Sequence, residues 1–131
     1  MSDMLVLSWI DFNVAVAKLA PLIDQTVVQK LYGVPRGGLC LAVALSHVTG
    51  IPLAMEPAPG CAIIDDIADT GDTLRELKGA QKLVWVLRPQ SMLSCHSALK
   101  LALNDDRWVL FPWEKEANAD KDRDRYAVRG L

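Results

Sequence analysis

The chain has little of several things, and each shortage excludes a class of function. Aromatic residues make up 6% of its 131 residues, and it has only two histidines and three cysteines. Cys40, Cys61 and Cys95 are odd in number, widely separated and mostly set in apolar runs, so they read as reduced thiols in or near a core, without zinc spacing. His47 has no second histidine or carboxylate at metal-ligand spacing and reads as a satisfied or surface side chain. The formal charge is −2 and the pI about 5.6, which removes the basic footprint of a nucleic-acid binder. No apolar run reaches membrane-spanning length, and no basic segment followed by a long apolar run opens the chain. The expectation is a cytoplasmic protein with neither nucleic acid nor membrane as partner.

What the chain has is apolar material, 51% of the residues, enough for one domain spanning 1–131 with a polar tail from about residue 115. Met4 to Leu7 reads as an edge strand or extended arm. Ser8 or Asp11 can cap a helix whose apolar stripe is Phe12, Val16, Leu19 and Ile23, and Pro21 should end or kink it near Ala20. Val27 to Val34 reads as a first core strand, and Leu41, Ala44, Leu45 and Val48 as the buried face of a helix closed by Gly50. Ile51 to Met55 reads as a second core strand and Leu83 to Leu87 as a third; Met92 to Leu103 has helical spacing.

The most informative stretch is Cys61-Ala62-Ile63-Ile64-Asp65-Asp66-Ile67-Ala68-Asp69-Thr70-Gly71-Asp72-Thr73-Leu74. An apolar run reads as a buried parallel strand that stops at two adjacent carboxylates. A loop of small hydroxylated residues and a glycine follows, and a helix opens at Leu74. Loop amides at a helix start suit an anion such as phosphate, and the neighbouring carboxylates suit sugar hydroxyls or a metal ion. A calcium loop is excluded, because its ligands alternate from the first Asp and a helix enters it. An acidic capping turn would explain Asp69 and Thr70 but not the complete pattern.

That pattern resembles the phosphoribosyl-pyrophosphate (PRPP) motif of the type I phosphoribosyltransferases. The resemblance runs from the Trp9 region to Glu114 and implies an α/β fold, a mostly parallel sheet with helices on both faces. It implies Mg2+ as cofactor, PRPP and a purine base or nucleotide as ligands, and a homo-oligomer, dimer or tetramer. By the same match Asp65 and Asp66 hold the ribose hydroxyls, directly or through the metal. Asp69, Thr70, Gly71, Asp72 and Thr73 form the 5′-phosphate loop, and Asp69 is also the catalytic base or hydrogen-bond partner of the purine. Pro35-Arg36-Gly37-Gly38 resembles the family's pyrophosphate loop, which often contains a cis peptide, here at or next to Pro35-Arg36. Taken alone that stretch reads equally as a plain strand-to-helix connection.

Two further matches favour a 6-oxopurine. Arg88 before Pro89 is similar to the basic residue, commonly lysine, that recognises the purine 6-oxo group, although an arginine at a strand end is usually a solvated cation. Trp108-x-x-x-Pro112-Trp113-Glu114 is similar to the base-binding segment of bacterial xanthine-guanine phosphoribosyltransferases, in which Trp108 would stack on the base and Val109 would offer its carbonyl. A plain edge strand is the alternative there.

One departure stands out. Glu56 to Gly60 leaves no room for the long flexible loop that closes over substrate in type I enzymes. A neighbouring subunit then covers the site, turnover is slow, or the protein is a non-catalytic PRPP- or nucleotide-binding regulator. A transferase for a pyrimidine or another base would leave Arg88 and Trp108 without their roles. From Lys115 the charges alternate, which reads as a solvated helix or frayed tail; a subunit contact through Tyr126 and Val128 is the other reading.

Overall fold

A computed structural model describes residues 3–117. The elements are β1 (Met4–Val6), α1 (Trp9–Leu19), a 3-10 turn (Ala20–Leu22), β2 (Lys30–Gly33), α2 (Gly38–Thr49), β3 (Cys61–Ala68), α3 (Asp72–Glu76), β4 (Gln81–Leu87), a second 3-10 turn (Pro89–Ser91), β5 (His96–Lys100) and β6 (Trp108–Leu110). They fall into two compact units, Met1–Asn13 with Asn104–Leu131, and Val14–Leu103.

In the first unit β1 pairs in parallel with β6, Leu5 opposite Val109, and the Leu7 amide extends the ladder by donating to the Leu110 carbonyl at 2.9 Å. Ser8 and Asp11 close a capping box at the start of α1: the Asp11 amide donates to Ser8 Oγ at 3.1 Å, and the Ser8 amide donates to Asp11 Oδ2 at 2.8 Å. Those Ser8 hydrogen bonds hold the Asp11 carboxyl below its ordinary pKa. Trp9, Phe12, Phe111 and Trp113 form an aromatic cluster, with Phe111 and Trp113 stacked at 5.3 Å and Phe12 edge-on to Trp113 at 6.0 Å.

The second unit is a four-stranded, all-parallel sheet in the order β2-β3-β4-β5. β3 and β4 are buried because they lie in its middle, which is why both read as near-continuous apolar runs. A methyl built on Gly33 would lie 2.8 Å from the Ala42 Cβ, so α2 packs directly on the face that carries Gly33 and its register partner Ile64. On the opposite face Leu74 of α3 packs with Cys61, Ile63 and Val84. The fold is therefore α/β, with a parallel sheet between helices. No helix among the described residues is long and apolar enough to cross a membrane.

Several expectations change. The predicted helix over 92–103 is strand β5, with Leu83 opposite His96 and Val86 opposite Leu99. The free edge of β4 has backbone donors and acceptors to satisfy, and that demand outweighs the local periodicity. The first core strand is only Lys30–Gly33, because the amides of Val27 and Val28 both turn back to the Asp24 carbonyl. The strand expected over 51–55 reduces to one parallel bridge, Leu53 to Leu31. α1 buries Phe12, Val16 and Leu19 of the predicted stripe and gives way at Leu19 to the turn containing Pro21, so Ile23 is buried beyond the helix. α2 buries Gly38, Leu41, Ala42 and Leu45, whereas Val48 is exposed. Gly50 ends α2 with φ +77°.

Candidate functional site

β2, β3 and β4 run the same way, so their outgoing loops leave one edge of the sheet, where ligands of open α/β sheets bind. The stretch 34–38 follows β2. Its Pro35–Arg36 peptide is cis, Arg36 is exposed, and Gly37 caps α2. The two glycines there serve close approach. A methyl on Gly37 would overlap the Asp66 carboxylate, its three nearest atoms all belonging to that group. A methyl on Gly38 would overlap the Ile64 carbonyl and lie 3.0 Å from the Asp65 Cα. The main chain after β2 is thereby pressed onto the Asp66 carboxylate and the backbone of β3 at Ile64 and Asp65.

Asp65 and Asp66 do not follow the strand, as the sequence suggests; β3 continues through them to Ala68. The Asp66 amide donates to Asp65 Oδ1 at 2.8 Å, and the Ile67 amide donates to Asp66 Oδ1 at 2.8 Å. Burial, and then the charge of Asp66, push the Asp65 carboxyl up to about 8; burial raises Asp66 as well. Both carboxyls therefore hold a proton to higher pH than an exposed aspartate does.

Next along the chain, Gly71 adopts φ +83° at the entrance to α3, a conformation open to glycine. The Asp72 amide lies 3.3 Å from Thr70 Oγ1, and Thr70, Asp72 and Thr73 are exposed. α3 is only five residues long, so it contributes little dipole, and the loop's capacity for an anion rests on its amides and hydroxyls.

Asp69 lies where this loop meets the end of β4. Arg88, 6% exposed, brings Nε to 3.7 Å from Asp69 Oδ1, and Gln90 Nε2 donates to the same oxygen at 3.1 Å. Arg88 is thus no solvated strand-end cation. Arg75, Gln90 and Ser91 are participants that the sequence reading passed over. Arg75 Nη2 donates to the Ser91 carbonyl at 2.6 Å and to the Thr70 carbonyl at 3.3 Å, and Nη1 donates to Asp72 Oδ1 at 3.0 Å. The Asp72–Arg75 spacing was a helical ion-pair signal; nothing local marked Gln90 or Ser91.

The remaining predicted residues, Trp108 and Val109, belong to the first unit. Trp108 is half-buried and Val109 buried. Because the Leu110 carbonyl faces β1, strand alternation turns the Val109 carbonyl to the opposite edge of that ladder. Trp113 and Glu114 have structural work: Trp113 joins the aromatic cluster, and Glu114 closes the turn by accepting the Phe111 amide at 2.9 Å and donating its own amide to the Phe111 carbonyl at 2.9 Å. Tyr126 and Val128, through which a subunit contact is the alternative expectation, lie outside the described residues, as does most of the predicted tail.

No family model matches the chain, and no curated protein matches it. Solved structures do. A purine phosphoribosyltransferase from Pyrococcus horikoshii superposes with a TM-score of 0.70 at 26% identity, over 86% of this chain and 95% of that one. The xanthine-guanine-hypoxanthine phosphoribosyltransferase of Helicobacter pylori gives 0.70 at 18% identity, over 93% and 99%. A hypothetical protein from Neisseria gonorrhoeae with bound ppGpp gives 0.58 at 15% identity, over 100% and 99%. The chain has the type I phosphoribosyltransferase fold and resembles the purine phosphoribosyltransferases along most of its length.

Proposed function

We propose that the protein transfers the ribose 5-phosphate of PRPP to a 6-oxopurine (guanine, xanthine or hypoxanthine) and releases pyrophosphate. The observation that carries this reading is the seating of the Gly37 main chain on the Asp66 carboxylate, which sets the Arg36 loop beside the Asp pair. In the reaction the bond from the ribose anomeric carbon to pyrophosphate breaks, a purine nitrogen bonds to that carbon, and the nitrogen's proton leaves.

Each residue type suits its part. Arg36, with the amides of Gly37 and Gly38, would bind the departing pyrophosphate. Thr70, Gly71, Asp72 and Thr73 would bind the 5′-phosphate, Asp72 through its amide because its carboxylate repels the anion. Asp65 and Asp66 would accept from the ribose hydroxyls. Asp69, held by Arg88 and Gln90, would take or share the purine proton. Arg88 would recognise the base; for Trp108 and Val109, which belong to the other unit, a role with the base rests on the sequence match alone. The homo-oligomeric state belongs to the same proposal.

The Asp pair also fits Mg2+. No cluster of three or more His, Cys, Asp or Glu side chains converges among the described residues, but Mg2+ is commonly held by one or two carboxylates together with substrate phosphates. The Oδ1 atoms accept backbone amides, which orients both carboxylates, and a cation between them would offset the repulsion that helps raise the Asp65 pKa. When bound there, Mg2+ would balance the charge of the phosphates.

The connector between Leu53 and β3 is residues 54–60, and the Cys61 amide bonds back to the Ala58 carbonyl, so this tight turn stands where a closing loop would be inserted. The test is pyrophosphate release from Mg2+-PRPP with xanthine, guanine, hypoxanthine, adenine and uracil supplied separately. Release that depends on a 6-oxopurine is expected. PRPP or GMP binding without release for any base would replace transfer with a binding role, and release with uracil alone would overturn the purine assignment.

A further inference from the structure

The turn after β4 carries groups that the PRPP motif does not include. Pro89–Ser91 is a single 3-10 turn, with Ser91 1% exposed. It is stitched internally: Ser91 Oγ donates to the Arg88 carbonyl at 2.8 Å, and the Ser91 and Met92 amides donate to the Arg88 and Pro89 carbonyls, each at 3.1 Å. Its outward link is Arg75, whose guanidinium reaches the Ser91 carbonyl at 2.6 Å while also holding the Thr70 carbonyl and the Asp72 carboxylate of the phosphate loop. A planar fork of five N–H donors can serve three acceptors on two segments at once, and an ammonium on a flexible stem cannot hold that geometry. The turn in turn presents Gln90, whose amide fixes Asp69 Oδ1 at 3.1 Å.

We infer that Arg75 is a positioning residue: it registers the Pro89–Ser91 turn against the 5′-phosphate loop, and through Gln90 it sets the orientation of Asp69. The inference rests on the phosphoribosyltransferase reading for its kinetic consequence but not for the contact itself. Arg75 is half-exposed and faces carbonyls and a carboxylate of the loop, so its effect passes through the loop's geometry.

The experiment compares Arg75→Met, Arg75→Lys and Gln90→Leu with the unaltered protein. In the steady state with saturating purine, Arg75→Met should lower kcat about 10- to 100-fold, the scale of misplacing a reacting group by about 1 Å, with KM for PRPP changed less than about threefold. Arg75→Lys should recover part of that loss, and Gln90→Leu should reproduce it. Unchanged kcat in Arg75→Met, or a loss confined to KM for PRPP, would overturn the inference, the latter by making Arg75 a direct phosphate ligand. Amide hydrogen exchange supplies a readout independent of activity. Arg75→Met should speed exchange at Ser91 and Met92 about tenfold or more while leaving Val84 and Trp85 in the middle of β4 unchanged. Unchanged exchange at Ser91 and Met92 refutes the tie even if the protein proves to release no pyrophosphate, an outcome that would refute the function on its own.

Discussion

Replacing Gly37 by alanine separates steric cost from backbone cost. Gly37 lies at φ −61° and ψ −36°, an ordinary helical conformation, so alanine is allowed there and would stabilise slightly through the unfolded chain. The space is another matter: the new methyl would lie 2.7 Å from Asp66 Oδ1 and closer still to the other two atoms of that carboxylate. Asp66 is held by the Ile67 amide, so it can escape only by breaking a 2.8 Å hydrogen bond or by pushing the 34–38 loop away. Overpacking of this kind costs about 1–3 kcal/mol. With a urea m-value of about 2 kcal/mol/M, the midpoint should fall by about 0.5–1.5 M. Asp66→Ala removes all three overlapping atoms, so adding Gly37→Ala to Asp66→Ala should cost close to nothing. The coupling in that double-mutant cycle should then equal the single-mutant cost with opposite sign. Urea unfolding of the four proteins followed by tryptophan fluorescence measures it. An equal cost of Gly37→Ala in both backgrounds would refute the reasoning that Asp66 is the obstacle.

Three other outcomes follow from the same geometry. The Asp65–Asp66 pair binds a proton more tightly folded than unfolded, so the folded state holds more protons above the ordinary carboxylate range. Stability of the metal-free protein should be fullest below pH 4 as far as this pair is concerned, and should decline as pH rises toward about 8. Thermal midpoints across pH 5–8 should show that slope, and Asp66→Asn should flatten it. Asp69→Asn keeps the shape but removes the charge, so it should lower turnover much more than PRPP affinity; equal losses in a kinetic and a binding assay would count against its role with the base. Leu74, 1% exposed, is the buried anchor of the one-turn helix α3, and Leu74→Ala should cost about 2–5 kcal/mol by denaturant unfolding.

The parts of this molecule legible in the sequence were those written locally. The Asp69–Thr73 order places a glycine turn between β3 and a short helix, and Ser8, one of two candidate caps, stands at the start of α1, because both depend on neighbours a few residues apart. Gly37 and Gly38 stand out in the sequence as paired glycines between a strand and a helix, but only the folded chain shows that Asp66 and Ile64 are what approach them. The 92–103 segment misled because its apolar spacing suits a helix, while its structure answers to β4, a neighbour in space. Trp113 and Glu114 complete a pattern similar to a base-binding segment, but the sequence does not show that Trp113 packs with Trp9, Phe12 and Phe111 or that Glu114 closes a turn on Phe111. Gln90 and Ser91 are illegible for the same reason, since their partners are Asp69, on the loop after β3, and Arg75 of α3.

The pairing of β1 with β6 has a consequence for the order of folding. The only ladder of Met4–Val6 among the described residues is with Trp108–Leu110, which is synthesised about a hundred positions later. Closing so long a loop is entropically costly before any contact rewards it, and no hairpin is available to shorten the search, since every ladder described is parallel. β1 must therefore wait until β6 emerges before this ladder can form, whereas the β2–β5 sheet has all its strands by Lys100.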